Sequence, residues 1–166
     1  MITFQKIRWK NFLSTGDQFS EIDFQKNATN LIVGTNGTGK STVLDALTVS
    51  LCNKPFRKIN KSQLVNATNE KDTQVEVEFD INGRQYLVRR CMKPNLFEIE
   101  VDGQKMHKQA DDRAMQKILE ENILKVNYKS FTQIVILGSS SFIPFMQLSG
   151  PQRREIIEDL LDIKIF

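Results

Sequence analysis

An α/β fold with an antiparallel β-region is what this sequence predicts, on three observations. Apolar and charged residues alternate from Lys6 to Lys10 and again from Val75 to Ile81, the period of half-buried strands. Val43, Leu44, Leu47 and Leu51 recur at helical spacing. A glycine-rich loop stands immediately before that helix, and a short apolar run, Asn30 to Val33, stands before the loop.

In chain order, Ile7 and Trp9 take one face of the first strand, and Lys6, Arg8 and Lys10 take the other. A second strand is expected over Gln18–Phe24, and Asn30 to Val33 is expected as the strand that feeds the loop. Lys54 to Asn69 has no clear period and reads as an ordered loop or a short helix. Val75, Val77, Phe79 and Ile81 then alternate with Glu76, Glu78 and Asp80, and Asn82-Gly83 supplies a two-residue hairpin turn. Tyr86 and Val88 continue the return strand, Phe97, Ile99 and Val101 make a third, and Asp102-Gly103 turns again. Beyond it Ala114, Met115, Ile118, Leu119, Ile123 and Val126 share a helical face, with Asp111 or Asp112 suited to the N-cap. Phe131 to Leu137 is apolar and fits helix or strand. Pro151 to Ile163 reads as a charged helix with Ile156, Ile157, Leu160 and Leu161 inward. The expected organisation is one lobe: strands over 1–33, loop and helix over 34–52, antiparallel strands over 73–103, and a helical part over 111–166.

The bulk numbers agree with one soluble unit. Of 166 residues 40% are hydrophobic and 26% charged, enough for a buried core. The net charge of +3 permits a polyanionic partner without requiring one. Cys52 and Cys91 make no disulfide framework and suit a reducing cytoplasm. No run approaches the roughly 18 apolar residues of a membrane span, and Met1 to Lys6 lacks the apolar run of a signal peptide. A soluble cytoplasmic protein with no membrane partner is expected.

Gly34-Thr35-Asn36-Gly37-Thr38-Gly39-Lys40-Ser41 fits G-x-x-x-x-G-K-[ST] at every fixed position, between an expected strand and an expected helix. Glycines let backbone N–H groups converge on one point at a helix N-terminus, which favours phosphate. Lys40 then reaches the β- and γ-phosphates, Ser41 ligands Mg²⁺, and Thr42 holds the α-phosphate. ATP with Mg²⁺ is the expected cofactor pair, bound by Gly34, Asn36, Gly37, Thr38, Gly39, Lys40, Ser41 and Thr42. A GTPase would carry N-K-x-D, which is absent; Asp80-Ile81-Asn82-Gly83 matches D-x-x-G only within a hairpin turn. The strands before the loop and the antiparallel region after its helix favour an ABC-type head over a small kinase.

Ile7 to Thr15 (IRWKNFLST), GTNGTGKSTVLDAL, FTQIVILGSSSFIPFMQL and RREIIEDLLDI resemble, in that order, the N-terminal lobe of the SMC-like, SbcC-type double-strand-break-repair ATPases, including the ATPase subunits of phage recombination endonucleases. The resemblance implies a P-loop NTPase of ABC/SMC-head type, with a mixed sheet carrying an antiparallel β-region. It implies an ATPase that acts with a nuclease subunit on DNA ends through ATP-dependent homodimerisation of heads. A phage-encoded member would work in the host cytoplasm. It also places Ser14 beside the phosphates. Two positions depart from the pattern. Leu13 stands where many members carry a phosphate-contacting arginine, and Ser139 stands where most carry the glutamine that couples Mg²⁺ and the attacking water to lobe movement. Gln133 is the nearby glutamine, so Gln133 and Ser139 are the candidates for that catalytic position.

Leu148-Ser149-Gly150-Pro151-Gln152 looks like the ABC signature L-S-G-G-Q. A true signature is followed some twenty residues later by an apolar strand ending in Asp-Glu, whereas the residues after Gly150 read as charged helix. Ser149 as an N-cap, Pro151 in the first turn and Gln152 at the third position of a capping box is the better reading. The sequence thus lacks a Walker B carboxylate and a general base, and a fragment that depends on a C-terminal ATPase lobe is expected. Asp45 is read as a packing or surface residue. Lys6, Arg8 and Lys10, then Lys54, Arg57, Lys58 and Lys61 with Phe56, and Arg89, Arg90 and Lys93 are candidate DNA phosphate contacts. With no base-reading motif, such binding would be independent of sequence. Two other functions compete: a nucleotide-gated interaction module without turnover, and a small phosphate-loop kinase.

Overall fold

A computed structural model describes residues 1–107, 111–136 and 145–161. They fall into two compact units, Met1–Lys108 and Gln109–Phe166.

Six strands form the sheet of the first unit: β1 (Ile2–Lys10), β2 (Ser20–Asp23), β3 (Thr73–Ile81), β4 (Arg84–Met92), β5 (Leu96–Val101) and β6 (Gln104–Lys105). Their order is β2-β1-β3-β4-β5-β6, and every pairing is antiparallel. The turn after β3 has positive φ at both Asn82 and Gly83, 53° and 85°, as a two-residue hairpin requires. Register follows from alternation. Ile22, Ile7, Val77, Val88 and Ile99 stand opposite one another in a row across five strands. Ile7, Val77, Val88 and Ile99 are at most 1% exposed, worth about 1.5–3 kcal/mol apiece.

The neighbouring row is charged and alternates in sign: Glu21, Arg8, Glu76, Arg89, Glu98. Its centre is Glu76, 1% exposed, which accepts hydrogen bonds from Arg8, Arg89 and Gln74. Burial alone would raise the Glu76 carboxyl, but these donors outweigh it and hold its pKa below the ordinary value. Arg89 Nη1 also reaches Glu98 Oε2 at 2.9 Å, and Lys105 Nζ reaches Glu98 Oε1 at 2.6 Å, which lowers the Glu98 carboxyl too.

Helix α1 (Thr42–Cys52) contacts β1, β3 and β4 and is buried at every position but Leu44. Its buried hydroxyls are satisfied within the helix: Thr48 Oγ1 donates to Leu44 O at 3.0 Å and Ser50 Oγ to Leu47 O at 2.8 Å. Arg90, 6% exposed, donates from Nε to Ser50 O at 2.7 Å and stacks 3.6 Å from the centroid of Phe97. Asn53 ends the helix in the left-handed region, φ 56°.

The strand expected at Asn30 to Val33 is not formed. No described residue pairs with this run, and Leu31 and Val33 are 85% and 82% exposed. An apolar strand of this kind needs neighbours on both edges and both faces, and nothing in the antiparallel sheet supplies them. The stretch from Lys54 contains one 3₁₀ turn, Lys61–Leu64.

In the second unit α2 (Asp112–Lys117) is capped by Asp111, whose Oδ1 accepts from Arg113 N at 3.3 Å. It continues as a π-helical segment, Ile118–Leu124, rather than as one α-helix to Val126. The wider turn keeps Leu119 and Leu124, five residues apart, both buried, which α-helical pitch would not. Helix α3 (Tyr128–Ile134) is capped by Asn127 Oδ1 on Ser130 N at 2.9 Å, so the ambiguous apolar run is helical as far as Ile134. Helix α4 (Gly150–Leu161) buries Ile156, but Ile157 and Leu161 are 43% and 60% exposed, against the inward placement expected of them. Among the described residues no element covers that side of the helix.

Glu76→Gln, which keeps the shape and removes the charge, destabilises the chain by about 2 kcal/mol in urea unfolding at pH 7. A depressed native pKa stabilises above the unfolded value and is lost as pH falls through the native one. The difference between Glu76→Gln and the native chain therefore closes as pH drops below the ordinary carboxylate range.

Candidate nucleotide-binding cleft

The phosphate loop leads directly into α1. Gly37 and Gly39 have φ of 88° and 91°, a region other residues enter only with strain. A Cβ on Gly34 would stand 2.6 Å from Thr38 Oγ1, so this position too is closed to a side chain. Thr38 Oγ1 donates to Thr35 O at 2.8 Å, and Thr42 N to Gly39 O at 2.9 Å. Lys40 Nζ donates to Gly34 O at 2.6 Å and Thr35 O at 2.7 Å, which draws its charge back across the loop. Ser41 is the N-cap residue of α1, yet its hydroxyl makes no capping bond and the residue is exposed. An exposed hydroxyl that no helix N–H occupies suits a hard cation beside phosphate.

The loop forms one side of a cleft of about 710 Å³. Asn36, Gly37 and Gly39 to Thr42 line that side, and Leu13, Ser14, Arg57, Gln63 and Asn66 to Thr68 line the rest. The structure thus brings Ser14 into the same cleft as the loop. Phe12 pairs with Val65 in an isolated antiparallel bridge, and Leu13 N donates to Leu64 O at 2.8 Å. Asn66 joins the two segments, its Nδ2 donating to Leu13 O and Thr15 O at 3.0 Å each.

Asp45, fully buried on α1, corrects its reading as a plain packing or surface residue. Its Oδ1 accepts from Arg57 N at 2.9 Å, and its Oδ2 lies 2.6 Å from both Arg57 Nε and Nη2. The pair places a half-exposed guanidinium in the lining of the cleft, and no local spacing announced it. The same pair removes Arg57 from the free basic residues. Arg8 and Arg89 are committed to Glu76, and Arg90 is buried beside α1. The expected basic surface is correspondingly smaller. The Lys61 amine is pushed down by burial first, then by Arg90 and Lys54, and donates to Asn53 Oδ1 at 2.9 Å.

The second unit holds the remaining candidates. Gln133 lies in α3; its Oε1 is buried without a hydrogen-bond partner among the described residues. Ser139 lies outside the described residues. Ser149 precedes α4, with its N–H and Oγ both donating to Gln152 Oε1, at 3.1 and 2.9 Å. The N–H bond is the Gln152 half of the expected capping box; the Ser149 hydroxyl donates to the same oxygen rather than accepting from the Gln152 N–H, and Pro151 stands in the first turn. Among the described residues no three His, Cys, Asp or Glu are grouped to hold a metal, and no helix is long and apolar enough to cross a membrane.

An antiparallel sheet, a glycine loop opening a buried helix and a helical second unit define the N-terminal lobe of a P-loop NTPase of SMC-head type. The chain belongs to the AAA domain family, whose model matches residues 6–165. It is 42% identical over 158 residues to exonuclease subunit 2 of Escherichia phage RB69, covering 95% of this chain and 28% of that protein. With a nuclease SbcCD subunit from Clostridium acetobutylicum the identity is 30% over 92% of this chain and 14% of that one. The chain thus spans little more than a quarter, or less, of the length of these curated relatives. A solved structure from work on ATP-driven dimerization and DNA stimulated activation of SMC ATPases superposes with a TM-score of 0.63, at 24% identity, covering 95% of this chain and 99% of that one. The resemblance to SbcC-type repair ATPases read from the sequence is therefore shown.

Asp45→Ala removes the acceptor of the part-buried Arg57 N–H and frees its guanidinium, and costs about 3 kcal/mol in urea unfolding. Asp45→Asn, which keeps one acceptor for that N–H, costs measurably less in the same assay.

Proposed function

We propose that this chain is the ATP-binding lobe of an SMC-like ATPase subunit of a recombination and repair nuclease complex that processes DNA ends. One observation carries the reading: a complete phosphate loop opens a buried helix into a cleft, with Lys40 inside the loop and the Ser41 hydroxyl unclaimed. The backbone N–H groups from Asn36 to Thr42 cradle the phosphates, helped by the positive end of α1. Lys40 exchanges its two carbonyl acceptors for β- and γ-phosphate oxygens, and Ser14 donates to the phosphates from across the cleft. Ser41 holds Mg²⁺, which neutralises phosphate charge. Asp45 keeps a second cation, Arg57, in the lining of the cleft.

The 166 residues act as a single head lobe and as half of a site. None of the described residues lining the cleft is a carboxylate able to serve as general base or Mg²⁺ ligand, so on this reading turnover needs a C-terminal lobe and a second head. Leu31, Ile32 and Val33 support the first requirement, because they present an exposed apolar run beside the loop that pairs with no described residue. The names of the relatives support a nuclease subunit as partner. DNA is the object expected of that assembly, and without a base-reading motif it is bound independently of sequence. The work is done in the cytoplasm. The half site also favours a second reading, a nucleotide-gated interaction module in which ATP binding alone controls docking.

Isothermal titration with MgATP and MgGTP tests the reading: the chain binds MgATP, with no preference for MgGTP. Lys40→Ala weakens MgATP by about a hundredfold with the circular dichroism spectrum unchanged, and retained affinity refutes the loop assignment. Amide hydrogen exchange at residues 30–34 slows when a C-terminal lobe is added, because its strands pair with the exposed run; unchanged exchange removes that lobe as the partner of this segment.

A further inference from the structure

We propose that Asn66 is the positioning residue that sets Ser14 at the phosphate cleft; the inference rests on the nucleotide-binding reading above. Asn66 is 8% exposed and uses its whole side-chain amide. Its two Nδ2 hydrogens go to Leu13 O and Thr15 O, the carbonyls on either side of Ser14. Its Oδ1 accepts from Thr68 N at 2.9 Å and Asn69 N at 3.0 Å, and its own N–H donates to Asn11 O at 2.9 Å. One residue thereby fastens the segment that carries Ser14 to the segment that carries Ala67 and Thr68, and both segments line the cleft.

The backbone it fastens is strained. Leu13 has φ 55°, a region that a bulky residue enters only when its surroundings dictate it. Leu13 is held from both ends, by its N–H on Leu64 O and by Asn66 on its carbonyl. Ser14 is exposed, and no hydrogen bond within the described residues holds its side chain. Its position is therefore inherited from Leu13 and Thr15, and theirs from Asn66 together with Leu64 O on the Leu13 N–H and the bonds between Thr15 and Phe12. Strain that is over-determined around an exposed hydroxyl in a cleft is the mark of a pre-set ligand contact rather than of a stable turn.

The test is a double-mutant cycle on MgATP affinity in the full chain, using Ser14→Ala and Asn66→Asp. Asn66→Asp keeps the acceptor that caps Thr68 and Asn69 and loses the two donors to Leu13 and Thr15, so it isolates the positioning half of the side chain. Each single variant is expected to weaken MgATP about tenfold, and the double variant no further than Asn66→Asp alone, because both act through one contact. A merely structural role lowers the melting temperature and leaves the affinity of the folded protein unchanged. The proposal is overturned if Asn66→Asp or Ser14→Ala binds MgATP as the native chain does, or if the two effects multiply. It is equally overturned if both Asn66→Asp and Asn66→Ala unfold, since Asn66 is then a folding residue. A native chain that binds no MgATP refutes instead the nucleotide reading on which the proposal rests.

Discussion

The burial of α1 on the apolar face of the antiparallel sheet is the constraint from which the site follows. The helix is enclosed on nearly every side, by the Ile7, Val77 and Val88 row and by Arg90 on Ser50 O, so its first turn has one place to be. The phosphate loop is anchored there at its C-terminal end only. At its N-terminal end it runs back into Leu31 to Val33, which pair with no strand.

The sheet serves that helix in two ways. Its apolar row supplies the surface that buries α1, and its charged row keeps the opposite face in register. Glu76 would be costly at 1% exposure without Arg8 and Arg89, and those arginines would be ordinary surface charges without Glu76. A one-residue slip between β1 and β3 is penalised twice over: it sends Ile7 and Val77 out of the apolar row and sets Arg8 against Val75 or Val77 in place of Glu76.

Much of this was legible in the sequence, where local pattern carries the information. Strand alternation, the Asn82-Gly83 and Asp102-Gly103 turns, the loop from Gly34 to Ser41 and the Ser149–Gln152 cap are all read within a few residues of chain. What escaped the sequence is pairing at a distance. Asp45 finds Arg57 twelve residues on, and Asn66 finds Leu13 and Thr15 more than fifty residues back. Glu76 collects arginines from two other strands. No periodicity encodes such contacts. The expected strand at Asn30 to Val33 failed for the complementary reason: its apolar composition is that of a buried strand, but the neighbours that would bury it are not among the described residues. The π-helical turn at Ile118–Leu124 escaped because an apolar face at α-helical spacing is nearly the same pattern as one with a single wide turn.

On the proposed reading, cradle, cation and hydroxyl in one cleft, without a base among its described lining residues, hold a nucleotide better than they consume one. Steady-state ATP turnover tests that division of labour most directly, measured on this chain alone and again with a C-terminal lobe and DNA added. The account predicts phosphate release at the background rate by the chain alone and a marked rise on addition of the lobe, increased further by DNA. Turnover by the chain alone, unchanged by either addition, would contradict it.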